Sequence, residues 1–163
     1  MKKILILFLV VSSTTFGQKK LDKLLDKWNT RNVPYISVET LAMPKTDAIL
    51  LDAREENEFN ISHLENAICV GYDNFKIKET IAKLPKDKNA KIVVYCSLGI
   101  RSETVAHKLI QEGYTNVYNL YGGIFEWKNA DFKVIDTLGK STEKVHTFNK
   151  SWGKWLKKGE KVY

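Results

Sequence analysis

The residues best suited to chemistry lie in one short segment, where Cys96 follows an apolar run and precedes Gly99 and Arg101. The segment at residues 95–102 reads Y-C-S-L-G-I-R-S. A thiolate is a strong nucleophile, and a nearby guanidinium or a helix N-terminus lowers the pKa of a cysteine. An arginine also presents planar donors that suit oxyanions such as thiosulfate or phosphate. The spacing therefore predicts a nucleophilic cysteine that acts on an anionic substrate.

This segment is predicted to be a turn between a strand and a helix. Residues 91–95 form an apolar run typical of a strand buried on both faces, and residues 102–112 have helical spacing. The first amides of a helix have no partner within it, so we expect the turn to curl its amides around the sulfur of Cys96. Gly99 permits the tight curl. The candidate substrate-binding residues are Ser97, Leu98, Gly99, Ile100, Arg101 and Ser102.

The chain alternates predicted strands with predicted helices. Strands are predicted at residues 35–37, 48–51, 67–70, 91–95 and 116–120. Helices are predicted at residues 19–29, 38–42, 55–59, 75–84 and 102–112, with a further short one after Gly122 and Gly123. This alternation predicts an α/β domain with a mainly parallel sheet. Ligands collect at the carboxyl edge of such a sheet, where Cys96 falls.

The first 17 residues have the composition of a secretory leader. Lys2 and Lys3 precede an apolar run at residues 4–11, and a cleavage point is predicted after Gly17. The run is shorter than the roughly 20 residues that span a bilayer. We therefore predict an exported protein, periplasmic or secreted, with no stable membrane anchor once the leader is removed. The predicted organisation is a signal peptide at 1–17, an N-terminal helix at 18–33, one domain at 34–136, and a basic, tryptophan-containing tail at 137–163. The helical spacing of Trp152, Trp155 and Leu156 predicts that the tail is a helix packed on the domain, and a mobile basic extension is the alternative.

The formal net charge of +7 reflects lysines that crowd both ends of the chain. A basic surface raises the local concentration of small anions. Because export is predicted and no nucleic-acid-binding motif accompanies the charge, the sequence predicts no nucleic-acid partner.

Three motifs resemble those of rhodanese-homology domains. The loop C-S-L-G-I-R-S resembles the family's active-site loop, which commonly reads C-x-x-G-x-R followed by Ser or Ala. Residues 50–70 resemble its upstream segment of D-x-R, E-F and H-I-x-x-A, and residues 120–127, L-Y-G-G-I-F-E-W, resemble its closing L-x-G-G-x-x-x-W. Together the motifs cover about residues 34–135. The resemblance implies a mostly parallel five-stranded sheet with helices on both faces.

The resemblance also implies a function. Cys96 matches the cysteine that takes a sulfane sulfur as a persulfide, without cofactor or metal. The expected partners are a small anionic sulfur donor, such as thiosulfate, and an acceptor that is cyanide, a thiol or a protein. The alternative is a persulfide-binding, sensing or sulfur-delivery module without turnover. A phosphatase or arsenate reductase is a weaker alternative, because the loop from Cys96 to Arg101 has six residues, one fewer than in the related phosphatases, and fits a single sulfur better.

Five further residues are candidates for supporting roles. Asp52, Arg54, Glu58 and His63 match the upstream motif of the family, and we expect them to hold the loop region together. Cys69 departs from the family pattern, which often has a polar residue near this point. Cys69 is either a resolving thiol that forms a disulfide with Cys96 or a buried cysteine, and the sequence leaves both open.

Overall fold

The computed structural model describes residues 12–163, with side chains from residue 18 onward. The helices are α1 (Ser12–Trp28), α2 (Val38–Leu41), α3 (Glu56–Ile61), α4 (Ile77–Ala82), α5 (Arg101–Gln111), α6 (Gly123–Asn129) and α7 (Lys150–Gly153). The strands are β1 (Tyr35–Ile36), β2 (Ile49–Asp52), β3 (Ile68–Cys69), β4 (Ile92–Tyr95), β5 (Val117–Leu120), β6 (Val134–Ile135), β7 (Ser141–Thr142), β8 (Lys144–His146) and β9 (Glu160–Val162).

Strands β1 to β5 form one sheet in the order β1-β5-β4-β2-β3, and every pair of neighbours is parallel. The central strand β4 is flanked by β2 and β5, with Leu51 opposite Val94 and Ile92 opposite Val117. This is the predicted fold class, and the structure confirms it.

Alternate residues of β4 point to opposite faces of the sheet, as the period of two requires. Ile92 and Val94 enter a core cluster with Val105 and Leu109 of α5, and the partly buried apolar residues of α4 pack against it. Val93 and Tyr95 enter a second cluster that contains apolar residues of α1, α2 and α6. The helices therefore cover both faces, as predicted. Every β4 side chain is fully buried, which contributes about 1.5–3 kcal/mol for each aliphatic one.

The predicted leader lies mostly outside the described residues, since residues 1–11 are not described. Its last part, from Ser12 to Gly17, begins α1, and the helix runs through the predicted cleavage point to Trp28. Leu21 and Leu25 of α1 are buried against the sheet. Among the described residues, no helix is both long enough and apolar enough to cross a membrane.

The C-terminal extension, residues 137–163, packs against the domain but is not the helix that the sequence predicted. It contains strands β7, β8 and β9 and a single helical turn, α7. Strands β8 and β9 pair in parallel, and Val145 and Leu156 are buried in the core. The helical prediction is wrong because it depended on the spacing of three apolar residues, whereas Gly153 ends α7 and Gly159, at φ +94°, turns the chain into β9.

Candidate active site

The predicted nucleophile lies directly after the central strand, in the turn that joins β4 to α5. The amide N–H of Gly99 donates a hydrogen bond to Sγ of Cys96 at 3.1 Å, and the Ser102 hydroxyl oxygen lies 3.5 Å from the same sulfur. Gly99 has a φ of +100°, a conformation that strains any residue with a side chain. The turn therefore directs its amide inward to the sulfur. Cys96 itself has no exposed surface.

The surroundings of Cys96 favour the thiolate. Burial acts to raise the pKa of the thiol, but the charge of Arg101 and hydrogen bonds from Ser102 and Gly99 outweigh it and lower the pKa below the ordinary value. The Ser102 hydroxyl has one proton, and its oxygen is 2.7 Å from Oδ1 of Asn119, a much shorter contact than the one to the sulfur. We therefore ascribe the lowered pKa mainly to Arg101 and to the backbone amides.

Arg101 is held by a buried carboxylate. Its Nη1 and Nη2 donate to the two carboxylate oxygens of Glu58 at 2.6 and 2.8 Å, and Nη2 also donates to Oγ of Ser97 at 3.0 Å. The side chains of Arg101 and Glu58 are 8% and 2% exposed, so solvent screens the pair little. Glu58 thereby offsets part of the guanidinium charge that acts on Cys96. The remaining donor, Nε of Arg101, is buried and has no hydrogen-bond partner among the described residues.

Two asparagines that the sequence analysis did not select hold the back of the turn. The side-chain amides of Asn29 and Asn119 each donate to the carbonyl of Gly99 at 2.8 Å. Oδ1 of Asn119 accepts the Ser102 hydroxyl proton. These contacts fix the peptide that follows Gly99 and so hold in place the residue whose N–H faces Cys96. A signal for Asn119 was available, since it is a fully buried polar residue within the apolar strand β5.

The paired glycines bring helix α6 against the turn. The amides of Ile124 and Phe125 donate to the carbonyls of Cys96 and Ser97 at 2.9 and 3.2 Å. A Cβ atom on Gly123 would lie 2.2 Å from the carbonyl oxygen of Cys96, so only glycine allows this approach. The motif L-Y-G-G thus lets the start of α6 bond to the backbone of Cys96 and Ser97.

The upstream candidates occupy different places. Glu58 contacts the turn through Arg101, as described above. Arg54 is fully buried and donates to the carboxylate of Asp52 and to the carbonyl of Ser62, beside the turn and not in hydrogen-bond contact with it. His63 stacks on the ring of Phe59, with centroids 3.8 Å apart, and its backbone pairs with Ile135. Of the four, only Glu58 is brought to the turn around Cys96.

Cys69 is separated from Cys96 by a whole strand. Cys69 ends β3 and lies level with Asp52 of β2, which in turn lies level with Tyr95. Since neighbouring strands are about 4.8 Å apart, the two cysteine Cα atoms are roughly 10 Å apart, beyond the roughly 7 Å reach of a disulfide. Both thiols are free. Burial, with the charge of Asp52, raises the pKa of the Cys69 thiol to about 11, which suppresses its reactivity.

The C-terminal extension completes the wall of the site. The ring of Phe148 lies over the guanidinium of Arg101, with Cζ 5.0 Å from the ring centroid. Nδ1 of His146 accepts a hydrogen bond from the Phe148 amide at 3.1 Å, so this nitrogen carries no proton. Its 3.9 Å separation from Glu58 is therefore not an ion pair, which agrees with a His146 pKa that burial lowers. No sequence pattern indicated these contacts.

Comparison with known proteins identifies the same family. The family model described as Rhodanese-like domain matches residues 38–130. A rhodanese-related protein from Thermoplasma volcanium is 26% identical with a TM-score of 0.55, and the match covers 63% of this chain and 97% of that one. A thiosulfate sulfurtransferase from Pseudomonas aeruginosa shares the fold, with a TM-score of 0.59, 21% identity and coverage of 76% and 23%.

Curated relatives carry a different name. The tRNA uridine(34) hydroxylase of Hamiltonella defensa is 33% identical over 118 residues, which are 71% of this chain and 31% of that protein. Proteins of the same name from Erwinia tasmaniensis and Yersinia pestis also match. This chain thus spans less than a third of the length of these relatives.

The relatives correct two predictions. Their names refer to a nucleotide of tRNA, so the prediction that nucleic acid is excluded as a partner is wrong. Because tRNA is a molecule of the cell interior, the predicted periplasmic or secreted location is wrong as well. The first error followed from the second, since nucleic acid was excluded on the ground of export. Export in turn depended on residues 1–17, whose described part is continuous with α1.

Proposed function

This chain belongs to the rhodanese-like family, and on that premise we propose that it is a sulfurtransferase in which Cys96 carries a sulfane sulfur as a persulfide. The observation that supports this most is the Gly99 amide directed at Sγ, 3.1 Å away, within a turn that buries Cys96 completely. We also propose that the rhodanese-like unit spans residues 34–136 and that residues 137–163 form an extension that walls its site.

The proposed reaction has two displacement steps. The Cys96 thiolate attacks the outer sulfur of a donor such as thiosulfate; a sulfur–sulfur bond forms on the protein, the donor's own sulfur–sulfur bond breaks, and sulfite leaves with the electron pair. An acceptor such as cyanide then attacks the outer sulfur of the persulfide. Thiocyanate departs, and the thiolate is regenerated. No separate general base is proposed, because the lowered pKa of Cys96 favours the thiolate.

Each residue at the turn has a proposed role. The lowered pKa of Cys96 supplies the thiolate, and the Gly99 amide stabilises negative charge on the sulfur in both states. Arg101 contributes positive charge, and its unpartnered Nε–H is the donor that remains for the incoming anion. Glu58 and Asn119 are positioning residues, since they act through Arg101 and Gly99.

Turnover separates this proposal from a persulfide carrier or sensor. We expect purified protein to produce thiocyanate from thiosulfate and cyanide, and Cys96→Ser to produce none above the uncatalysed rate. Cys69→Ser serves as the matched control, because it removes the other thiol and leaves the turn intact. If sulfur loads once onto Cys96 and is not passed on to cyanide or to any thiol, the carrier alternative replaces the enzyme.

A second candidate substrate is tRNA. We propose it because relatives named tRNA uridine(34) hydroxylase match 71% of this chain at 33% identity. The net charge of +7 favours binding of a polyanion. The relatives are about three times longer than the matched segment, so the shared part is the rhodanese-like unit and not their whole activity.

Direct binding tests this candidate. We expect a gel-shift or anisotropy titration to show binding to bulk tRNA that weakens steeply as salt is raised, as phosphate contacts require. Mass spectrometry of nucleosides from treated tRNA then reports whether a base is altered in a Cys96-dependent way. Absence of any tRNA binding at low salt contradicts the second candidate and leaves the sulfurtransferase proposal standing.

A further inference from the structure

An exposed aromatic residue sits beside the proposed catalytic turn in an unusual backbone conformation. Phe148 is 48% exposed and has a φ of +63°, in the left-handed region that residues with side chains rarely adopt. Its neighbours are fixed, because Thr147 is buried and bonds to Val162, while the Asn149 side chain caps α7. Strained backbone of this kind clusters at functional sites and is a starting point for a functional hypothesis.

The Phe148 ring is supported by two neighbouring side chains and is partly exposed to solvent. The guanidinium of Arg101 lies 5.0 Å from the ring centroid, and the ring of Trp152 is 5.0 Å away at an interplanar angle of 46°. Trp152 is partly buried and packs against the core, which makes it a rigid support. The extension thus holds the Phe148 ring in place at the edge of the site, with nearly half of its surface in solvent.

The segment around this ring is strongly basic. Residues 144–159 contain five lysines and no acidic residue. Lys150 and Lys154, on either side of Trp152, are exposed, and so is Lys157. An aromatic platform bordered by cations is the arrangement by which proteins bind unpaired nucleotides, since the ring stacks on a base and the cations face the phosphates.

We propose that Phe148 is a stacking platform for an unpaired base of an RNA strand, with Trp152 as its support and Lys150 and Lys154 facing the adjacent phosphates. Arg101 beneath the ring links the bound base to the turn that carries Cys96. This inference rests on tRNA being a substrate, as proposed above, and not on the sulfur-transfer reaction. It assigns a nucleotide site to an extension that lies outside the matched family segment at residues 38–130.

The test is a binding titration on the full chain with fluorescently labelled hexauridylate, followed by anisotropy at low salt, with bulk tRNA titrated in parallel. We expect Phe148→Leu, which keeps apolar bulk but loses the ring, to weaken hexauridylate binding at least about fivefold. Phe148→Tyr keeps the ring and should bind like the unaltered chain. Trp28→Leu is the matched control, because Trp28 is an exposed aromatic beside Lys27 on a different element and should not affect binding.

Two results overturn the inference. In one, hexauridylate does not bind although tRNA does; in the other, Phe148→Leu binds hexauridylate as tightly as the unaltered chain. Either result leaves the proposal that tRNA is a substrate standing. That proposal fails only if the chain does not bind tRNA at all. Should Phe148→Leu not fold, the unaltered chain still carries the test. Hexauridylate should quench the tryptophan fluorescence of the unaltered chain and should not quench that of the Trp152→Phe variant. Equal quenching of the two proteins counts against the platform.

Discussion

The most informative perturbation of the site is Arg101→Gln, because Arg101 serves both the fold and the thiolate. The substitution removes two charge-assisted hydrogen bonds to Glu58, at 2.6 and 2.8 Å, and one to Ser97. It leaves a carboxylate that is 2% exposed without its cation. Removal of one partner of a buried ion pair costs about 3–5 kcal/mol, so we expect the free energy of unfolding at neutral pH to fall by this amount.

The pH dependence of that loss has a definite sign. In the unaltered chain, burial acts to raise the pKa of Glu58, but Arg101 outweighs it and lowers that pKa. The pair therefore stabilises the fold fully above the unfolded carboxyl pKa of about 4.3. This stabilisation is lost as the pH falls through the lower pKa of the folded state. In Arg101→Gln burial dominates and Glu58 takes up a proton more readily. The difference in unfolding free energy should therefore be largest near neutral pH and should narrow as the solution is acidified.

The same substitution raises the pKa of Cys96. A nearby positive charge favours the ionised form of a thiol, and the charge of Arg101 acts on Cys96 in this way, so its loss should move the pKa upward. Glu58→Gln alone should act in the opposite direction, because it leaves the guanidinium uncompensated beside the thiolate. The double variant, with both Arg101→Gln and Glu58→Gln, should regain much of the stability that Arg101→Gln alone loses, while the pKa of Cys96 stays high.

Urea unfolding measures the stability, and thiolate ultraviolet absorbance against pH measures the pKa of Cys96. Cys69→Ser should be the background for the pKa titration, so that only one thiol is observed. Arg31→Gln is the control, since Arg31 and Asp26 form an exposed pair whose loss should cost no more than about 1 kcal/mol. The reasoning is refuted if Arg101→Gln matches this control in stability, or if it leaves the pKa of Cys96 unchanged.

Three further substitutions test the supports of the turn. Gly123→Ala should lower the rate of thiocyanate formation by roughly 100-fold, because the new methyl group would lie 2.2 Å from the Cys96 carbonyl oxygen and displace the turn. Asn119→Ala should lower the unfolding free energy by about 1–3 kcal/mol, because it removes one of two donors to the buried Gly99 carbonyl. Cys69→Ser should change turnover by less than about twofold, because β2 separates it from Cys96.

Matched variants make these tests specific. Gly139→Ala imposes a similar backbone strain, at φ +73°, but its added methyl group meets nothing within 4 Å, so turnover should be kept. Equal turnover of the two alanine variants argues against the close approach of α6. Asn116→Ala removes a more exposed asparagine, and a loss of stability as large as that of Asn119→Ala speaks against a specific role for Asn119. A Cys69→Ser variant without turnover revives the resolving-thiol hypothesis.

The parallel sheet and the position of Cys96 were predictable because their signals are local. An apolar run such as Ile92–Tyr95 is typical of a strand buried on both faces, and a following Cys-x-x-Gly-x-Arg turn marks its carboxyl end. The signal is also local for a short helix whose first turn is capped by a side chain. In α2, the Ser37 hydroxyl accepts a hydrogen bond from the Thr40 amide. In each case the neighbouring residues carry the information.

The parts that the sequence did not predict depend on contacts between distant segments. Asn29 reaches the turn from 70 positions away in the chain, and spacing alone gives no sign of such a pair. Glu58 lies 43 positions from Arg101 and was a candidate only through the family resemblance. The prediction of a helix in the C-terminal extension was wrong for a different reason. Its apolar residues have helical spacing, yet Gly153 and Gly159 break the helix, and Val145 and Leu156 enter a core that the rest of the chain builds.

The central claim is that Cys96 holds a sulfane sulfur, and the intact mass of the protein tests it most directly. After incubation with thiosulfate or polysulfide, the chain should gain the mass of one sulfur atom. Peptide mapping should place that atom on Cys96, and cyanide should remove it. The account is contradicted if the chain gains no mass with any sulfane donor, or if the Cys96→Ser variant gains the same mass as the unaltered chain.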